Sequence, residues 1–176
     1  EQDVPLRYQE DWQQVLQEKK QEQPRGSLSA VVFRVGGEWI SLPARIFSEV
    51  IDKGLIHSIP HRKNRILIGV INIHGEIHLC VSLRHLLCLE EGDGFEDCRD
   101  PSRRMMVVSS SGETWVFPVD QILGVYRVHP ALFQKAPATV SKAEGSFTRG
   151  IFYWDGKYVA FLDEERLFRA FRSSVQ

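Results

Sequence analysis

"VVSSSGETWVFPVDQILGVYRV", residues 107–128, is a second copy of a pattern already met in "VVFRVGGEWISLPARIFSEVI", residues 31–51. Gly37, Glu38, Leu42, Pro43 and Val50 stand opposite Gly112, Glu113, Phe117, Pro118 and Val125, at a constant offset of 75. Each copy holds an apolar run, a glycine turn, a second apolar run and a proline. A glycine turn between strand-like runs is a hairpin signal. The repeat continues downstream: "IGVINIHGEIHLCVSLRHLL", residues 68–87, parallels "RGIFYWDGKYVAFLDEERLF", residues 149–168. There Gly69, Gly75 and Leu86 fall opposite Gly150, Gly156 and Leu167, at an offset of 81. Pro60 and Pro137 precede the second hairpin of each half. Self-similarity of this kind means two copies of one supersecondary unit.

Each unit therefore supplies two hairpins joined by a proline-bearing crossover. Four or five short strands bury two sheet faces only by curling into a small barrel or packing on a neighbour. The sequence predicts a mainly β fold: two pseudo-symmetric five-stranded β-barrels, about residues 27–95 and 104–170, with a groove between them. A single helical turn is expected at "RHLL", before an acidic loop from Glu90 onward. Residues 1–26 read as a separate helical extension. Tyr8, Trp12, Val15 and Leu16 share a helical spacing, which predicts a short amphipathic helix from about residue 8 to 20. Pro24 and Gly26 end it. One narrow stripe is too little to fold alone, so the helix is expected to dock on the body or on a partner. The chain opens on Glu1 without a methionine, and residues upstream of it are an open expectation.

The totals restrict function. The 176 residues are 43% hydrophobic and 26% charged, with a formal net charge of -1. Nucleic acid or an anionic membrane calls for a basic stripe, which that balance does not suggest. No apolar run approaches the roughly 20 residues of a membrane span, and no secretory leader pattern precedes the fold. Cys80, Cys88 and Cys98 make an odd count without a C-x-x-C pair, so a reducing cytoplasm is the expectation.

Chemistry is sparse. In an extended strand Glu76, His78 and Cys80 share a face, which raises a zinc site. Side chains adjacent along one strand rarely converge tetrahedrally, and no second pair has ligand spacing. The alternation is read instead with Ile77, Leu79 and Val81 toward the core, Glu76 and His78 outward, and Cys80 a half-buried small hydrophobe. No nucleophile elbow and no phosphate loop appear. No catalytic residue, metal or cofactor is expected. Binding is better supported: Asn72, His74 and Glu76 surround a hairpin tip, where binding groups tend to sit. Phe152, Tyr153 and Trp154 run consecutively, so alternation leaves at least one at a seam or interface. The basic stretch at residues 61–65 reads as a surface patch or a dock for an acidic partner.

The order of these motifs resembles the CheW-like coupling domains. "FRVGGEWISLPA", "HSIPHR", "GVINIHGE" and "SLRHLL" match the first half of that family, and "VFPVDQILGVYRV", "APAT" and "RGIFYWDGKYVAFLDEERLF" the second. The resemblance covers about residues 28–170. "HLCVSL", "RMMVVSSSGETWVFPVDQILGV" and the N-terminal extension look closest to the WspD-like couplers of Wsp surface-sensing systems. It implies SH3-like barrels and a cytoplasmic, non-catalytic scaffold. Such a scaffold joins a methyl-accepting chemoreceptor to the regulatory domain of a CheA-type histidine kinase. One barrel would pair with that domain, and a hydrophobic groove near the barrel junction would receive the receptor's helical tip. In Wsp-type systems the output is a regulator that makes cyclic di-GMP. The positions so implied for partner binding are Val50, Ile59, Asn72, His74, Gly75, Glu76, Arg84 and Phe152. Two depart from the pattern: His74 stands where the family has arginine in N-x-R-G-E, and Ser82 where it has the aspartate of D-L-R. Asp163 keeps that aspartate in the second repeat. The alternatives are the separate regulatory domain of a CheA-type kinase and a small nucleic-acid-binding barrel.

Overall fold

The computed structural model describes residues 26–52, 54–61, 64–89, 104–135 and 147–176. The helix expected over residues 8–20, the acidic loop from Glu90 and Cys98 lie outside them. The first hairpin, β1 (Leu28–Val35) and β2 (Glu38–Pro43), turns at Gly36 and Gly37. A 3₁₀ turn (Ala44–Ile46) leads into β3 (Phe47–Asp52), followed by β4 (Ile56–His57). The second hairpin is β5 (Leu67–Ile73) and β6 (Glu76–Val81), and α1 (Leu83–Leu86) is the expected helical turn. The other half supplies β7 (Arg104–Ser110), β8 (Glu113–Val119), β9 (Gln121–Val128), β10 (Thr148–Trp154), β11 (Lys157–Leu162) and α2 (Glu164–Ser173).

The repeat holds, but the halves do not form separate sheets. One sheet runs β10-β11-β2-β1-β9 and the other β3-β7-β8-β6-β5-β4. Each half lends its first hairpin to the other half's sheet. Sequential barrels over residues 27–95 and 104–170 are thus corrected. The physical reason is that β1, β7 and β8 are apolar on both faces, and a central place between two cores buries both. The exchanged hairpins dock by parallel pairing: Ile40 lies opposite Ala160 and Trp115 opposite Leu79. The repeat offsets carry Ile40 to Trp115 and Leu79 to Ala160, so the two junctions are copies of each other.

Both sheets curl toward closure. Beyond β9 the chain passes a 3₁₀ turn, and Gln134 bridges Ile151 of β10 through backbone bonds of 2.7 and 2.9 Å. In the six-stranded sheet the outermost strands, β3 and β4, are consecutive in the chain. Strand alternation then sorts side chains into three cores. Ala30, Val32, Phe152 and Phe161 fill one barrel. Ile71, Ile73, Cys80, Met105 and Val107 fill the other. The intervening residues Val31, Phe33, Met106 and Val108 meet at a seam with Phe117, Leu167 and Phe171.

The paired glycines find their reason here. A Cβ on Gly69 would lie 2.2 Å from the backbone oxygen of His57, and one on Gly150 would lie 2.8 Å from Cβ of Phe133. Each glycine marks the place where the crossover strand presses on the second hairpin.

Candidate partner-binding site

The β5–β6 tip is built by its backbone. His74 and Gly75 both take positive φ, 53° and 89°, and Asn72 Oδ1 accepts the Gly75 N–H at 3.0 Å. That side-chain-to-backbone bond spans the corner, and His74 and Glu76 project from it. His74 Nε2 lies 3.1 Å from Glu49 Oε2 of β3, so the tip is tied to the opposite strand of its barrel. Glu76 Oε2 approaches His78 Nε2 at 3.5 Å. Asn72, His74, Gly75, Glu76 and the β3 carboxylate thus form one exposed cluster.

The alternation expected for β6 holds at Glu76, Leu79 and Val81 but not at Ile77 and Cys80. Cys80 is wholly buried inside the six-stranded barrel, while Ile77 is exposed. Leu79 and Val81 still turn inward, but into the seam rather than the barrel. A strand between two cores has two apolar faces, so alternation does not say which face meets water. Among the described residues no group of three His, Cys, Asp or Glu is placed to hold a metal.

Ile77 belongs to a wider surface. It pairs with Asn72, and continuing the Ile56–Ile71 register places Leu55 beside Asn72. The other barrel repeats this arrangement. Tyr158 pairs with Tyr153, their rings 5.2 Å apart edge to face, and continuing the Gln134–Ile151 register places Leu132 beside Tyr153. Leu55, Ile77, Leu132 and Tyr158 each expose between 60% and 75% of their surface. Exposed apolar clusters of this kind mark interaction sites. Phe152, by contrast, is 1% exposed and stacks on Phe133 inside its barrel. Its assignment to partner binding is corrected: Tyr153 is the outward member of the aromatic run.

Val50 lies elsewhere. It pairs with Met106, and its repeat partner Val125 pairs with Val31. Both partners belong to the seam, and directly opposed residues share a face. Val50 and Val125 therefore stand on the seam-facing side of β3 and β9, the outer strands of the two sheets, and Val125 is exposed. Sequence reasoning paired the two valines yet assigned only Val50. Ile59 packs half-buried against the seam. Arg84 sits on α1, where its Nε would lie 3.5 Å from a Cβ placed on Gly36 of the exchanged hairpin. Ile59 and Arg84 therefore join the seam and α1 rather than the tip cluster, while Val50 neighbours Glu49 on the other face of β3.

The Ser82 departure has a local explanation. Its hydroxyl caps α1 by accepting the His85 N–H at 3.2 Å, and it shares a 2.7 Å bond with His85 Nδ1. At the repeat position Asp163 caps α2 by accepting the Arg166 N–H at 3.1 Å. Serine and aspartate are comparable N-caps. The Ser82–His85 contact is used in capping, with Ser82 buried.

Comparison with known proteins agrees with this architecture. The CheW-like domain matches residues 29–172. This chain belongs to the CheW-like family. A solved structure of the scaffolding protein TtCheW from Thermoanaerobacter tengcongensis superposes with a TM-score of 0.65 at 20% identity. The alignment covers 81% of this chain and 88% of that one. Comparison with curated proteins returned no match. Proteins of the CheW family are scaffolds rather than enzymes. No helix among the described residues is long and apolar enough to cross a membrane.

Proposed function

We propose that this chain is an adaptor that holds a methyl-accepting chemoreceptor and a CheA-type histidine kinase in fixed relation. The observation that carries the reading is the repetition of one outward apolar face on both barrels, Leu55 with Ile77 and Leu132 with Tyr158. A rigid body with a like face on each barrel suits bridging rather than single capture. The face beside the β5–β6 tip receives the kinase regulatory domain: Ile77 and Leu55 supply apolar area, and Asn72, His74 and Glu76 set register and specificity. The seam-facing flanks at Val50 and Val125 receive the receptor's helical tip. Coupling then requires that the two receptor states contact this surface differently, because equal contacts shift no equilibrium.

His74 narrows the partner set. An arginine grips a carboxylate with a two-pronged fork, whereas histidine offers one nitrogen in a given direction, and here that nitrogen faces Glu49. A kinase surface that meets this tip is therefore less dependent on a bidentate carboxylate. We assign the chain to a Wsp-type surface-sensing pathway with a cyclic di-GMP output. Supporting this are the "HLCVSL" and "RMMVVSSSGETWVFPVDQILGV" segments and the N-terminal extension. The adaptor would act in the cytoplasm, at receptor arrays, through its partners and without nucleic acid.

Calorimetric titration with the regulatory domain of a CheA-type kinase tests the docking face. Glu76→Lys and Ile77→Asp are each expected to weaken binding at least tenfold, with the circular dichroism spectrum unchanged. Binding unaffected by both would remove the tip from the interface. Wild-type binding to a Wsp-type kinase no tighter than to a flagellar one would reject the pathway assignment.

A further inference from the structure

The apolar face of the second barrel carries Leu132, Tyr153 and Tyr158, which are 60%, 59% and 67% exposed. Neither the kinase nor the receptor is assigned to it. Its backbone is fixed: the Leu132 N–H donates to the His129 carbonyl at 2.9 Å, and Gln134 exchanges bonds of 2.7 and 2.9 Å with Ile151. The two tyrosine rings meet edge to face at 5.2 Å, an arrangement that holds aromatic side chains in place. This face lies where the N-terminal extension joins the body. A Cβ on Gly26 would lie 3.8 Å from the His129 ring, and Leu28 pairs with Val128. His129 in turn caps the 3₁₀ turn Pro130–Leu132 by accepting the Ala131 N–H at 3.1 Å. The chain thus enters β1 one short turn away from Leu132.

We propose that residues 8–20 of the same chain dock as an amphipathic helix on this face. The stripe of Tyr8, Trp12, Val15 and Leu16 needs an apolar partner, since a helix of that length is marginal alone. Reach carries the choice. Residues 21–25 span up to about 17 Å, and a helix over residues 8–20 measures about 20 Å. That is enough to lay the stripe across Leu132, Tyr153 and Tyr158. Aromatic rings on both sides supply large contact area, and the tether makes docking intramolecular, which favours it over capture of a free helix. The consequence for coupling rests on the adaptor reading. The first barrel's face, with Leu55 and Ile77, stays open, and its counterpart opens to a partner only when the extension leaves it. The two like faces thereby become unequal, which sets the order in which they engage.

The test uses the full chain with Trp12 replaced by the photoreactive p-benzoylphenylalanine, irradiated and mapped by mass spectrometry. Adducts of monomer mass are expected at residues 130–134 and 151–158. Their yield should fall at least fivefold in Tyr158→Asp and at least twofold in the milder Leu132→Ser, and should stay unchanged in Ile77→Asp. In the chain without the photoreactive group, nitration of Tyr153 and Tyr158 by tetranitromethane should rise at least threefold on Trp12→Glu. Adducts on the first barrel's face, elsewhere on the chain, or only between two copies would overturn the proposal, and so would nitration that Trp12→Glu leaves unchanged. Neither measurement contains kinase or receptor, so failure here is separate from failure of the adaptor reading, which the calorimetric titration tests.

Discussion

At the scale of single residues, the two departures from the family pattern have opposite meanings. Ser82 replaces an aspartate and keeps its task, because a hydroxyl caps a helix about as well as a carboxylate. Ser82→Ala should cost about 1 kcal/mol in urea unfolding, while Ser82→Asp should stay near wild type. A larger loss in the aspartate variant would mean that burial of Ser82 outweighs capping. His74 stands where the resemblance has an arginine, and in the proposed adaptor it alters the grip of the tip, since a histidine nitrogen near Glu49 cannot reproduce a guanidinium fork. The sequence shows both replacements. It does not show that Ser82 meets His85 Nδ1 or that Glu49 meets His74, because those contacts depend on how a helix starts and which strand faces the tip.

At the scale of elements, the strands were legible and their faces only partly so. Glycine turns and alternation locate every described hairpin, yet two positions of β6 depart from the alternation. Ile77 is exposed where a single-core reading buries it, and Cys80 is wholly buried where that reading half-buries it. Phe152 was misassigned for the same reason, since an aromatic run shows that one ring faces outward without showing which. Exposed Tyr153 answers that. The helix α2 shows how an element closes the seam: Phe171 packs on Trp115, Phe117 and Phe168, with ring centroids 5.3, 6.4 and 6.2 Å away. Arg45–Glu164 and Arg172–Glu113 pin its two ends. Phe171→Ala should cost about 3–5 kcal/mol, whereas Arg172→Ala, breaking a partly exposed pair, should cost under about 1 kcal/mol. Gly69→Ala should cost about 1–3 kcal/mol, because the His57 backbone must move to admit a methyl group. Chemical denaturation of the three variants checks the ranking, and an Arg172→Ala loss equal to that of Phe171→Ala would refute it.

At the scale of the whole molecule, the repeat was legible and the exchange of hairpins was not. Residue offsets are blind to which copy of a hairpin pairs with which sheet. That choice is made by β1, β7 and β8, whose two apolar faces demand a core on each side. The exchange predicts that a chain of residues 27–95 shows no cooperative unfolding by circular dichroism, since the β7–β8 hairpin of its barrel is absent. The entire chain should unfold in one transition by both fluorescence and circular dichroism. A folded half-chain would contradict the shared seam. The same architecture places a matching apolar face on each barrel, and on this the adaptor reading rests. Its most direct test is kinase autophosphorylation in a reconstituted mixture of receptor-bearing membranes, a CheA-type kinase and this chain. The account predicts that receptor state alters kinase activity only when the chain is present, and that Ile77→Asp abolishes this control while leaving basal kinase activity intact. Equal receptor control with and without the chain would contradict it.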